Sequence, residues 1–307
     1  YGAARYALAS GNCNEAEKLW PLIEWCLEYC HRQLNADGVV KSDSDELENR
    51  FPAGKANLCT SSLYYDALVS AAYLGKALKK EHKQIKSYQD RAAELYKNID
   101  AYFARNVEGY DTYRYYDGNT VLRSWICIPL TMGIYDQAKG TVEALFSDKL
   151  WMENGLLTQS GTSTYWDRST LYAFRGAYSC GARDIATEYL DKYSATRLLG
   201  DHVPYAVEAW PEGNQRHLST ESALYCRIMT EGLFGIRPIA LDAFMMTPQL
   251  PESWNTMSLK RICAFGSIFD IEVKRDKDDK LLVLIKKDHK IVKRSKITNG
   301  KPIEVRI

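Results

Sequence analysis

The sequence predicts a mainly α-helical fold, in which helical hairpins form a toroid that is followed by a small β unit. Two observations carry this prediction. Amphipathic helices alternate with helices that are apolar on most sides, and the end of the chain changes to the two-residue period of strands. A toroid of hairpins has two layers of which only the outer one meets water, so it requires this alternation. We place the toroid at residues 1–240 and the β unit at residues 241–307.

The predicted helices fall into two groups after a first helix that ends at Gly11-Asn12, a typical helix stop. Charged faces mark the helices assigned to the outer layer, at residues 15–34, 88–103, 136–146 and 182–193. Small and apolar residues dominate the helices assigned to the inner layer, at residues 58–78, 119–134, 169–180 and 219–234. The connections from outer to inner helices are long and rich in aromatic and charged residues, which indicates a functional face.

The β unit is predicted from alternating residues beyond Pro238. Strands are expected at residues 269–273, 281–285 and 303–307, with a tight turn at residues 276–279. Asn299-Gly300 is a typical hairpin signal. The many lysines of these strands predict a solvated face.

Charge and composition argue against several kinds of partner. The chain has 40 basic and 39 acidic residues, which gives no electrostatic reason to expect nucleic acid or an anionic membrane. No apolar run reaches the length of a membrane span. The eight Cys residues form no Cys-x-x-Cys or Cys/His cluster, so we expect buried thiols and no metal site. The 21 Tyr and 7 Trp favour a neutral carbohydrate partner, because aromatic rings stack on the apolar faces of sugars.

The first loop, residues 37–52, concentrates acidic residues. Within it are Asp43, Asp45, Glu46 and Glu48, with Arg50 beside them. Like charges held close together raise the pKa of at least one carboxyl, which keeps it protonated for general-acid catalysis. A solvated acidic loop with helix-capping Asp residues explains the same composition without catalysis.

The second region, residues 110–118 and 161–169, interleaves aromatic residues with Arg and Asp, as a sugar pocket requires. Protein–protein contacts use the same residue types, and Asp167 would also suit a helix cap before Ser169. The third loop, residues 202–219, places Glu208 and Glu212 among aromatic residues and close to His217. Inversion at an anomeric carbon needs two such acidic loops, with carboxyl groups roughly 6.5–9.5 Å apart. Structural roles for Glu212 and His217 are the alternative.

These residues resemble the six-hairpin glycosidase superfamily, which includes glucoamylases, glycogen-debranching-type glucosidases, α-L-rhamnosidases and disaccharide phosphorylases. Asp45-Glu46 followed by residues 63–68 is similar to the acid loop and the next inner helix, and residues 207–210 are similar to the base loop. Residues 235–238 and 248–254 are similar to the exit into a C-terminal β unit. The resemblance spans nearly the whole chain and implies an (α/α)6-barrel of twelve helices. Because fewer helices are visible, we expect the first hairpins to lie upstream or to be absent.

The leading hypothesis is an inverting, exo-acting glycoside hydrolase that removes a terminal, α-linked sugar from an oligo- or polysaccharide. The resemblance implies that Glu46 is the general acid, in competition with Asp45 and Glu48, and that Glu208 is the general base. No cofactor is expected, because the two carboxyl groups make both proton transfers. The candidate sugar contacts are Asp45, Tyr113, Arg114, Trp125, Trp166, Asp167, Arg168, Trp210, Glu212 and His217.

Three alternatives remain at this level. In a disaccharide phosphorylase, Arg216 and His217 would hold phosphate and no base would be required. In a non-catalytic carbohydrate-binding protein, the two carboxyl groups would lie too far apart or face away from each other. A polysaccharide lyase would need a Tyr or His base and a basic cleft, which the acidic loops disfavour.

Overall fold

The computed structural model describes residues 1–45, 51–197, 209–210 and 219–307, without the side chains of residues 209, 210, 219 and 220. The helices are α1 (Gly2–Ser10), α2 (Cys13–Arg32), α3 (Leu58–Ala77), α4 (His82–Phe103), α5 (Ile128–Met132), α6 (Ala138–Leu145), α7 (Asp167–Ser179), α8 (Arg183–Arg197) and α9 (Ser219–Arg227). The first strands are β1 (Ala104–Val107), β2 (Tyr110–Tyr113), β3 (Trp151–Met152), β4 (Gly155–Leu156), β5 (Tyr165–Trp166) and β6 (Ala209–Trp210). The later strands are β7 (Ile236–Ala240), β8 (Ala243–Met246), β9 (Thr256–Ala264), β10 (Ser267–Arg275), β11 (Leu281–Lys287), β12 (Lys290–Ile297) and β13 (Ile303–Arg306).

The chain forms two compact units. The first consists of residues 1–29, 66–92 and 233–307, and the second of residues 30–65 and 93–232. The boundaries fall within or beside α2, α3 and α4. The division of the chain near residue 240 stays a prediction.

The alternation of helix types is confirmed, and with it the mainly helical class. In α2, Ala16, Trp20, Ile23 and Leu27 form one buried stripe, whereas its charged residues face outward. Helix α3 is buried on most sides, as expected for a helix rich in small and apolar residues. The closed toroid itself stays a prediction.

The helix predicted at residues 119–134 is wrong in its first half. Arg123 has an extended backbone (φ −121°, ψ 143°), and a 3-10 turn at Ser124–Cys127 precedes the short helix α5. The amide of Ser124 donates to the Thr158 carbonyl at 3.2 Å, and the amide of Ser160 donates to the Leu122 carbonyl at 2.9 Å. The segment therefore satisfies backbone groups by pairing with a distant extended segment, which apolar periodicity does not reveal.

The last predicted helix, at residues 219–234, also changes partway along. Regular α-helix α9 ends at Arg227, and a π-helical turn occupies Ile228–Leu233. Gly232 in this turn lies close to α7, where an added Cβ would be 3.2 Å from the Tyr178 Cβ. Glycine thus allows the two backbones to approach each other.

The chain after residue 235 forms two antiparallel sheets. Strand order is β12-β11-β10-β9 in one and β13-β8-β7 in the other. The hairpin predicted at Asn299-Gly300 is wrong, because these residues connect β12 to β13, which pairs with β8 instead. The Asn299 side chain accepts from the Leu250 amide (3.1 Å) and donates to its carbonyl (2.7 Å), so it braces a neighbouring segment.

The sheet face predicted to be solvated is confirmed in β12, where most residues are exposed.

The expectation of buried thiols holds for Cys59 and Cys127 but is wrong for four exposed cysteines: Cys13, Cys26, Cys226 and Cys263. The described His, Cys, Asp and Glu residues form no group that could hold a metal ion. In the part of the chain that the structure describes, no helix has both the length and the apolar character of a membrane span.

Candidate active site

Short backbone bridges link the loops that the sequence predicts to be functional, all within the second unit. They join Lys41 to Ala56, Asn57 to Tyr116, Arg123 to Gln159, and Leu157 to Tyr165. Strand β5 then pairs with β6, which places Trp166 opposite Ala209. Residues of the first loop, the second region and the third loop are thus connected step by step, although they are far apart in sequence.

Tyr115 and Arg123 hold both described ends of the acidic segment in the first loop. The Tyr115 hydroxyl donates to Asp45 Oδ2 at 2.7 Å. The Arg123 guanidinium carbon lies 5.0 Å from the Tyr115 ring centroid and 5.4 Å from those of Tyr116 and Phe51. Asp45 and Phe51 border residues 46–50, which lie outside the described residues.

Arg123 carries its positive charge in an aromatic cage. The residue is 2% exposed, and its Nε and Nη1 atoms make no hydrogen bond to the described residues. Burial lowers the pKa of Arg123, whereas Tyr116, Tyr115 and Asp45 raise it. Because a guanidinium stays protonated in proteins, ring faces and Asp45 stabilise a permanent cation here.

Trp125 and Trp166, two of the candidate sugar contacts, belong to one aromatic cluster. Their ring centroids are 4.4 Å apart, and Tyr172 meets Trp125 edge-on at 5.3 Å. Both Trp side chains are buried, and Trp125 Nε1 makes no hydrogen bond among the described residues. Their contact with sugar stays a prediction.

Two ion pairs with buried carboxylates follow directly after Trp166. Arg197 Nη2 donates to Asp167 Oδ2 at 2.9 Å, and Arg168 Nε donates to Glu221 Oε1 at 2.8 Å. Asp167 and Glu221 have no exposed surface. Burial raises the pKa of Tyr193 well above its usual value, and the nearby Asp167 carboxylate raises it further.

Tyr113 and Arg114 have different neighbours. Burial, with smaller contributions from Asp100 and Asp136, raises the pKa of Tyr113, whose side chain is enclosed. Arg114 donates to the Tyr102 carbonyl through Nη2 (2.8 Å) and Nε (3.1 Å). It lines an open pocket of about 360 Å³, together with Asp37, Asn98, Ala101, Tyr102, Arg105 and Asp117. A role in sugar binding stays a prediction for both residues.

The predicted acid and base lie outside the described residues. This holds for Glu46 and Glu208, and also for Glu48, Glu212, Arg216 and His217. Trp210 is described by its backbone alone. The separation of the two carboxyl groups therefore stays a prediction.

Sequence reasoning missed Arg123, Tyr115 and Glu221. A signal was present for Arg123, which is a single charge inside an otherwise apolar segment. Charged residues in such positions are rarely buried unless they are paired. Glu221 stands among Ser and Thr at the start of a helix, where an exposed acidic residue is ordinary. Tyr115, one of many tyrosines, offered no comparable signal.

The chain matches solved glycosidase structures. No family model matches the sequence, and no curated protein sequence matches it. A sialidase matches with a TM-score of 0.72 at 14% identity, over 97% of this chain and 31% of that one. The GH78 family rhamnosidase of Bacillus sp. GL1 matches with a TM-score of 0.58 at 13% identity, over 92% and 29%. An α-L-rhamnosidase from Dictyoglumus thermophilum matches with a TM-score of 0.56 at 13% identity, over 96% and 36%.

The chain has the fold of these enzymes. It spans about a third of the length of each solved protein. The resemblance drawn from the sequence is confirmed at the level of the fold, because α-L-rhamnosidases are members of the superfamily that it named.

Proposed function

We propose that this chain forms the helical catalytic part of an inverting, exo-acting glycoside hydrolase that removes a terminal, α-linked sugar from an oligo- or polysaccharide. The fold carries the proposal, since at least 92% of the chain matches a sialidase and two rhamnosidases. The bridges between the three predicted functional regions support it further.

In the proposed reaction, Glu46 protonates the leaving oxygen. Glu208 takes a proton from a water molecule, which attacks the anomeric carbon from the opposite face. This geometry needs room for the water, at a carboxyl separation of roughly 6.5–9.5 Å. Both protons pass through carboxyl groups, so the proposal includes no cofactor.

The described residues support a site beside the first loop. Asp45, which directly precedes Glu46, accepts a hydrogen bond from Tyr115 at 2.7 Å. An α-L-rhamnoside is the first substrate to test, because two matched structures are rhamnosidases.

We predict that Glu46→Gln and Glu208→Gln each lower kcat by roughly 10²- to 10⁴-fold, the usual contribution of a general acid or base. The acid variant should retain activity on an aryl glycoside with a strongly acidic leaving phenol, which departs without protonation. The base variant should lose activity on both kinds of substrate.

The matched control is Glu153→Gln, which changes an exposed glutamate of the same unit. Circular dichroism and thermal unfolding should match the wild type in all three variants. Full activity in Glu46→Gln or Glu208→Gln would refute the role assigned to that residue.

A screen of aryl glycosides of rhamnose, glucose, galactose, mannose and fucose, in both anomers, tests the proposed activity. A hydrolase releases free sugar at a rate that is independent of inorganic phosphate. Sugar phosphate formed only in the presence of phosphate would indicate a phosphorylase. Binding of a glycan without turnover would indicate a carbohydrate-binding protein.

A further inference from the structure

We propose that Asp167 and Arg168 are positioning residues that attach the third loop to the start of α7, instead of contacting sugar directly. The inference rests on the proposed function, because that function places the general base Glu208 in this loop. It changes the role that the sequence suggested for both residues.

The two ion pairs lie at the two borders of the third loop. Arg197 is the last described residue before this loop, and its guanidinium binds Asp167 at 2.9 Å. Glu221 lies two residues beyond the end of the loop and binds Arg168 at 2.8 Å. Two adjacent side chains of α7 therefore hold the chain on both sides of the loop.

A third attachment lies inside the loop. The strand Ala209–Trp210 pairs antiparallel with Tyr165–Trp166, the two residues that directly precede Asp167. Glu208 is the residue immediately before this strand. The four consecutive residues Tyr165–Arg168 thus contact the chain before, within and after the third loop.

Burial favours attachment over sugar contact. Asp167 has no exposed surface, and Arg197 has almost none. Glu221 is also fully enclosed. The Arg168 side chain is 19% exposed, but its guanidinium binds Glu221 and lies 5.8 Å from the Trp166 ring centroid. Charge-assisted hydrogen bonds in such surroundings are short and directional, and loss of one partner leaves an uncompensated charge inside the protein.

The attachment matters because a general base works only when it is placed accurately. Catalytic groups need to be held within about 0.5 Å of the productive geometry. A displacement of about 1 Å can lower the rate roughly 100-fold. Loss of any attachment beside Glu208 should therefore lower kcat strongly and change substrate binding only slightly.

The test compares Asp167→Asn and Arg168→Met with the control Arg175→Met. Arg175 lies on the same helix and is buried. It pairs at 3.2 Å with Glu231, which is not at a border of the third loop. On a glycoside cleaved by the wild type, we expect the first two variants to lower kcat by about tenfold or more, with KM within about threefold. The acidic limb of their kcat–pH profile should also shift, because the surroundings of the base change. Arg175→Met should keep wild-type kcat and pH profile.

Arg168→Lys keeps the positive charge opposite Glu221 and should recover part of the kcat lost in Arg168→Met. This recovery would show that the loss in Arg168→Met does not come from misfolding alone. A raised KM with unchanged kcat in Asp167→Asn or Arg168→Met would instead indicate direct sugar contact and overturn the inference. Unchanged kcat and KM would overturn it as well.

Hydrogen exchange separates this inference from the proposed function, because it requires no substrate. Peptides from the third loop should exchange faster in Asp167→Asn and Arg168→Met than in the wild type or Arg175→Met. Unchanged exchange there would refute the attachment, whatever the activity. An inactive wild type with the expected exchange would refute the proposed function and leave the attachment standing.

Discussion

Arg123 carries a permanent charge into the interior of the second unit, where desolvation of an ion is expensive by several kcal/mol. Its position is stable because three aromatic rings and Asp45 surround it. The negative charges of Asp167 and Glu221 are each paired with an arginine on another helix, Arg197 in α8 and Arg168 in α7. Buried charged side chains thus lie at the described borders of the first and third loops.

Gly140 allows the second unit a close contact between a helix and a strand. Ala in place of Gly inside a helix ordinarily stabilises it by about 1 kcal/mol. At Gly140 in α6, however, an added Cβ would lie 1.9 Å from the Asp111 carbonyl oxygen in β2. We predict that Gly140→Ala lowers the free energy of unfolding by about 1–3 kcal/mol or more, measured by urea denaturation.

The control for this prediction is Gly2→Ala in α1, where an added Cβ has nothing within 4 Å. That variant should be as stable as the wild type or slightly more stable. Equal stability of Gly140→Ala and Gly2→Ala would contradict the close packing of α6 on β2.

The residue types at the site were predictable from the sequence, but their partners were not. Clustering of aromatic residues points to Trp166, and Trp125 is a further candidate sugar contact. Arg168 and Glu221 are 53 positions apart, and Tyr115 and Asp45 are 70 positions apart. No local pattern reports a pairing over such distances, so buried ion pairs resembled sugar contacts at the level of sequence.

Among the elements, periodicity predicted the long helices and failed where the backbone pairs with a distant segment. Helix α4 shows a continuous buried stripe that includes Tyr88, Leu95 and Ile99, and its existence followed from that pattern. Leu122–Ser124 lies within the mostly apolar segment predicted to be a helix, yet it pairs with Thr158–Ser160 as extended structure. Tertiary pairing overrides helix periodicity in such short segments.

Glu272 in β10 gives the C-terminal sheet a specific acid sensitivity. Lys274 and Lys286 bind its carboxylate at 2.6 and 3.0 Å and lower the pKa of Glu272 from 4.5 to about 2. A carboxyl with a lower pKa in the folded state stabilises the fold above its unfolded pKa, and this contribution is lost as the pH falls towards the folded value. We predict that wild-type stability decreases more steeply between about pH 4.5 and pH 2 than that of Glu272→Gln.

Urea denaturation across this pH range measures the difference. The control is Glu304→Gln in β13, which removes a longer and exposed contact with Arg306 at 3.5 Å. Its stability should follow the wild-type pH dependence. Parallel curves for the wild type and Glu272→Gln would contradict the stabilising role of the two lysines.

For the whole molecule, the sequence predicted the class of fold because alternation of helix types extends over most of residues 1–234 and strand periodicity follows it. The match to a sialidase at a TM-score of 0.72 with only 14% identity has the same origin, since burial patterns persist where residue identities do not. The loops between helices have no apolar periodicity, so their structure does not follow from the sequence in this way. The partners of Asp167 and Arg168, which lie 30 and 53 positions away, show how long-range ion pairs connect such segments.

The anomeric configuration of the first product tests the proposed enzyme most directly. Proton NMR of the sugar released from an aryl α-glycoside, recorded before mutarotation, distinguishes the two anomers. Two separated carboxyl groups that activate water predict release of the β-anomer, with inversion. Initial release of the α-anomer, or no hydrolysis of any glycoside in the screen, would contradict this account.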